Sequence, residues 1–189
     1  MVENLWLYSL ADAQAHTDVA VHLSTLVVNH HHTDVTPSSD NLGEFTRRFH
    51  GDFSGSLNKL LADERYDAPR ELFDDRQCHE LRLLDAAAQA SHLTYEYLNP
   101  VAAGLVDRPG HMPFQAVDWH LWKSGYIEVK RPPVFFDPRN RPDVLRLYVT
   151  PPPLLYKAFD GDIDALVHHL AGSPNTVARS SRPPAMDDP

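Results

Sequence analysis

Three consecutive histidines, His30, His31 and His32, stand in the run Asn29-His-His-His-Thr-Asp-Val. A strand sends alternate side chains to one face. His30 and His32 would then point the same way, roughly 6–7 Å apart, with His31 on the other face. Two imidazoles at that spacing can share one divalent cation. Zinc sites usually pair histidines at helical or wider spacing, and Cys78 is the only cysteine, so a structural zinc is disfavoured. Mg2+ or Mn2+ in a phosphate-handling site is the expectation. The second candidate group is Tyr95 and Asn99, in Thr94-Tyr-Glu-Tyr-Leu-Asn-Pro-Val-Ala-Ala-Gly-Leu-Val106. Helical residues four apart share a face, roughly 5–6 Å between Cβ atoms. A phenol beside an amide suits a tyrosine nucleophile next to a metal ligand. Tyr97, rotated by roughly 200°, continues an apolar stripe with Leu93 and reads as core. Plainer readings stay open. The histidines suit a solvated turn or strand edge, Tyr95 a half-buried position, and Asn99 the N-cap of a helix beginning at Pro100.

The elements that must position these groups are legible from periodicity. Leu5, Trp6, Tyr8, Leu10 and Ala11 predict a helix over 3–15, and the β-branched run 19–28 predicts a strand. Thr33–Thr36 continues as a second extended piece, stopped by Pro37-Ser-Ser-Asp40. The stripe Leu42, Phe45, Phe49, Phe53, Leu57, Leu60 and Leu61 predicts a helix over about 40–62, in which Gly51 and Gly55 mark close packing. Glu71–Phe73 and His79–Leu84 read as short strands. Asp85 is placed to cap a long helix running to Asn99. Pro100 should break or kink it and open a second short helix over 101–106. Beyond residue 107 prolines and aromatics dominate, with a strand at 144–149 and a last helix within 155–171. The result is an α+β chain: a small antiparallel sheet with helices on one face. Its divisions are residues 1–110, an extension over 111–172, and a disordered tail at 173–189.

Composition narrows the function. The 189 residues allow one sizeable core with an appendage. No run of eighteen apolar residues exists, so no membrane span is expected. The start lacks the basic and apolar regions of a secretory signal. A single cysteine permits no internal disulfide, which fits a cytoplasmic setting. The formal net charge of −9 runs against extended contact with nucleic acid, whose affinity comes from Lys and Arg neutralising phosphates.

Asn29-His30-His31-His32 and Tyr95-Glu-Tyr-Leu-Asn99-Pro100-Val101-Ala-Ala103-Gly104-Leu105-Val106 together resemble the REP-associated tyrosine transposases, single-tyrosine members of the HUH endonuclease superfamily. The resemblance covers about residues 3–118, with Pro113-Phe114 where that family often has a Pro-aromatic pair. It implies a ferredoxin-like HUH fold, with a divalent cation held by His30, His32 and Asn99. It also implies attack by Tyr95 on a DNA phosphate, giving a 5′-phosphotyrosine link and a free 3′-hydroxyl. The implied partner is single-stranded or hairpin DNA, and a homodimer is a further expectation, since relatives often dimerise. Arg47, Arg48, Lys59, Arg76 and Arg82 are the candidates for the basic track, each equally readable as an ordinary surface charge. The chain departs from the family in its acidic balance, in His31 at an often apolar position, and in lacking the strand that normally precedes the first helix. Two other functions fit the same residues: a hairpin-binding module without catalysis, and a metal-binding protein unrelated to DNA.

Overall fold

The computed structural model describes residues 1–27, 30–67, 72–73, 78–112 and 117–172. Asn29, Arg76, Pro113-Phe114 and the expected tail at 173–189 lie outside them. The described chain is mixed α and β, with five α-helices and two small antiparallel sheets, and it divides into two compact units. Among the described residues no helix is long and apolar enough to cross a membrane.

The first unit comprises Met1–Val21, Thr36–Leu81 and Gly125–Val149. Its centre is α1 (Val2–Thr17), which packs on α2 (Leu42–Asp63) and on the hairpin of β3 (Tyr126–Lys130) and β4 (Val144–Tyr148). Contacts on both sides leave α1 almost without a polar face, so even Ser9 and Asp12 are buried. Trp6 meets the edges of Phe49 and Phe53, with ring centroids 4.4 and 4.9 Å away. Gln14 binds β4 twice, donating to the Tyr148 carbonyl at 2.9 Å and accepting from its N–H at 2.7 Å. Asp12 is compensated by Arg141, which also reaches Asp52 at 3.1 Å. On α2, Phe45, Phe49 and Phe53 are buried, whereas Leu57, Leu60 and Leu61 stay partly exposed. Close packing holds at Gly55, where a Cβ would lie 2.6 Å from the Phe135 ring, and not at Gly51.

The second unit comprises His22–Val35, Arg82–Ser124 and Thr150–Pro189. It contains most of β1 (Ala20–Leu26) and β2 (His31–Thr36), then α3 (Ala86–Ala102), a 3-10 turn (Trp119–Lys123), α4 (Pro153–Ala158) and α5 (Ile163–Ala171). β1 is buried on both faces and has neighbours besides β2: Ser24 N–H donates to the Val117 carbonyl at 2.9 Å. Leu93, Leu98, Trp119, Leu155 and Leu166 form the core of this unit. Leu155 N–H is fixed to the Gln89 side chain at 2.9 Å.

Several expectations need correction. His79–Leu84 forms no strand: Leu81 and Leu84 are exposed, and among the described residues no strand edge pairs with the segment. Pro100 does not break the helix. α3 runs through it to Ala102, with the lost bond falling on the preceding turn at the Glu96 carbonyl. The expected second helix at 101–106 is instead the end of α3. Gly104 takes a left-handed φ of 70°, its N–H bonds the Val101 carbonyl, and Leu105 N–H bonds the Pro100 carbonyl. The helix expected within 155–171 is two helices, divided by a turn with positive φ at Asp160 and Gly161. β3 had no counterpart in the sequence reading. The described strands pair in two sheets of two rather than in one sheet.

Candidate functional site

The histidine, tyrosine and asparagine candidates fall within the second unit. β2 follows a strand's alternation. His31 turns to Thr33, 3.2 Å from Nδ1 to Oγ1, and Thr33 meets Ser24 of β1 at 3.1 Å. His30, His32 and Asp34 share the other face. The His30 and His32 rings stand edge to face with centroids 5.0 Å apart. α3 begins at Asp85, whose carboxylate accepts from Ala88 N–H at 2.8 Å. From there the helical repeat puts His92, Tyr95, Glu96 and Asn99 on one face.

These two faces meet. The His32 and Tyr95 ring centroids are 5.9 Å apart, and Asn99 Nδ2 donates to the Tyr95 hydroxyl at 3.3 Å. Asn99 lies inside α3, so it does not serve as the N-cap of a following helix. Tyr95 is 52% exposed, open to a large substrate, while Tyr97 is 8% exposed and packs on Trp119 at 4.1 Å between centroids. Two buried atoms beside Tyr95 have no hydrogen-bond partner: His32 Nε2 and Asn99 Oδ1. Burial, and then the neighbouring His30 and His92, pull the His32 imidazole below its usual range. His32 is therefore neutral at neutral pH, with a lone pair to offer. An imidazole nitrogen and an amide oxygen, both shielded and both acceptors, are a donor set that fits a divalent cation.

Further along the same faces lies a group that the sequence reading did not pick out: Asp34, His92 and Glu96. One ligand atom from each lies within 4.8 Å of the others, and His92 Nε2 is 3.5 Å from Asp34 Oδ1. Glu96 is fully buried, and neither of its oxygens has a donor; nor does Asp34 Oδ2. Burial first, and then the Asp34 charge, hold the Glu96 carboxyl well above the usual range. The Thr25 backbone favours the Glu96 anion only as the smallest of these effects, and its N–H reaches neither oxygen in hydrogen-bond geometry. Burial also raises Asp34, against the opposing pull of His92. The signal was present in the sequence. Continuing the alternation from His32 gives Asp34, and stepping three back and one forward from Tyr95 gives His92 and Glu96.

The basic candidates are more dispersed. Arg47 and Arg48, on α2 of the first unit, both pair with Glu44, at 2.8 and 2.7 Å. Lys59 pairs with Asp63. Such exposed pairs satisfy the cations locally and add little stability. Arg82 is exposed ahead of α3 in the second unit. Comparison with family models, with curated proteins and with solved structures finds no match to this chain.

Proposed function

We propose that this chain cleaves and rejoins single-stranded DNA, in hairpin form, through a covalent link to Tyr95. The observation that carries the reading is the convergence of His30 and His32, at the start of β2, with Tyr95 and Asn99 from α3, two motifs more than sixty residues apart in sequence. On this reading β1, β2 and α3 are part of an HUH-type, ferredoxin-like core. His30, His32 and Asn99 are the residues that would hold a Mg2+ or Mn2+ ion, which when bound polarises the scissile phosphate.

The chain's own residues do the rest. Asn99 Nδ2 holds the Tyr95 hydroxyl through its hydrogen bond and fixes where the nucleophilic oxygen lies. The Tyr95 oxygen bonds to phosphorus as the bond from phosphorus to the 3′-oxygen breaks. The phenol gives up its proton and the departing 3′-oxygen takes one up. A 5′-phosphotyrosine and a free 3′-hydroxyl result. The reverse attack by a 3′-hydroxyl reseals the strand and restores the phenol.

The test is a set of end-labelled hairpin oligonucleotides incubated with Mn2+ or with EDTA and resolved on a denaturing gel. The expected result is label transferred to the protein with Mn2+ and none with EDTA. Transfer that persists in Tyr95→Phe would remove Tyr95 from its role. A second reading, a metal-binding protein that does not touch DNA, draws on the net charge of −9 and on the local pairing of Arg47, Arg48 and Lys59. It expects uptake of Mn2+, lost in His30→Ala/His32→Ala, with no hairpin binding at any salt concentration.

A further inference from the structure

We infer that Asp34, His92 and Glu96 form a second divalent-cation site, separate from the one assigned to His30, His32 and Asn99. Three features carry it. The ligand atoms converge within 4.8 Å, from a strand face and a helix face already packed together. Glu96 is fully buried, with both oxygens unpartnered and one of them within that cluster. The carboxylate oxygens also outnumber the donors. Of the four on Asp34 and Glu96, Asp34 Oδ1 lies 3.5 Å from His92 Nε2, while Asp34 Oδ2 and both Glu96 oxygens have no donor in hydrogen-bond geometry.

Unpaired buried acceptors are costly, and two carboxylates that share a site repel one another. One shared proton would satisfy a single pair of oxygens. A divalent cation draws on both carboxylates at once and takes a ring nitrogen of His92 as its third ligand. Two carboxylates and an imidazole are hard-to-borderline donors, which suits Mn2+ over softer ions. The site would leave coordination positions for water, since three protein ligands converge among the described residues.

The inference does not depend on the DNA chemistry, and the experiment separates the two. The full chain is equilibrated with Mn2+ and the bound ion counted by equilibrium dialysis with elemental analysis, with circular dichroism of each variant as the check on folding. The expected count is two ions per chain. Glu96→Gln, which keeps shape and removes charge, and His92→Gln, on a partly exposed side chain, should each leave one. Affinity at the lost site should fall by on the order of 100-fold or more, since even outer-shell changes cost 10–100-fold. His30→Ala/His32→Ala should also leave one ion, and adding it to Glu96→Gln should leave none. A wild-type count of one that survives Glu96→Gln and His92→Gln would overturn the second site and leave the first. A count of two that is unmoved by either variant would do the same. Loss of one ion in Glu96→Gln, with none lost in His30→Ala/His32→Ala, would instead uphold the second site and remove the first. If Glu96→Gln does not fold, His92→Gln decides.

Discussion

His22 should make this protein acid-sensitive in a way that one substitution can isolate. It lies in β1, 2% exposed, within hydrogen-bond distance of the Thr150 carbonyl, 2.7 Å from Nδ1. Burial lowers its pKa from 6.5 to about 4, against the smaller opposing effect of that hydrogen bond. The folded state thus holds the neutral ring, while the unfolded chain takes a proton near pH 6.5. Between about pH 6.5 and 4 the unfolded state binds more protons, so stability falls as pH falls. The slope is about 1.4 kcal/mol per pH unit, about 3 kcal/mol across the window, and nothing is lost above it. Asp34 and Glu96 act in the opposite sense: their raised folded pKa values add stability on acidification, so the wild-type curve is a sum. His22→Phe keeps the ring's bulk and removes the titration. It also leaves the Thr150 carbonyl unpaired, a loss of about 1–3 kcal/mol that does not vary with pH. The assay is urea unfolding at pH 7, 6, 5 and 4. It can be followed by tryptophan fluorescence, since Trp122 Nε1 donates to the His22 carbonyl at 3.0 Å. The difference between wild type and variant should shift by about 3 kcal/mol in the variant's favour from pH 7 to pH 4, removing or reversing its deficit. A gap that stays constant would show that His22 is not held neutral by burial.

Other substitutions test separate links. Arg141→Met leaves the carboxylate of Asp12, 1% exposed, without its guanidinium and should cost about 3–5 kcal/mol in urea unfolding. Asp85→Ala removes the cap of α3 and should cost about 1 kcal/mol by the same measurement. Asn99→Ala should leave the melting temperature nearly unchanged, because the side chain is partly exposed and bonds only Tyr95. It should lower Mn2+ affinity and the yield of protein–DNA adduct by at least about 10-fold, read by dialysis and by gel.

Elements whose hydrophobic period is long and uninterrupted could be read from sequence. α1, α2, β1 and the N-terminus of α3 at Asp85 lie close to where periodicity and capping put them. The stripe on α2 was over-extended: Phe45, Phe49 and Phe53 find α1, but nothing covers Leu57, Leu60 and Leu61 to the same depth. Pro100 misled because proline removes one bond to the preceding turn without always ending the helix, and α3 keeps its course to Ala102. β3 was missed because Tyr126–Lys130 exposes most of its residues and owes its shape to pairing with β4. At the site, chemistry-bearing residue types gave His30, His32, Tyr95 and Asn99. Asp34, His92 and Glu96 lie on the same two faces, and their spacing marked them, but isolated carboxylates and histidines look like surface residues until the two faces meet.

The most direct measurement is the site of covalent attachment. The protein is incubated with hairpin DNA and Mn2+, digested with nuclease and protease, and searched by mass spectrometry for a tyrosine carrying a nucleotide through its phosphate. One modified residue is expected, Tyr95. The neighbouring Tyr97 should stay unmodified, since it is buried against Trp119 and its phenol is pushed up by burial. A nucleotide on any other residue, or a folded, Mn2+-loaded protein that acquires none, would contradict that expectation.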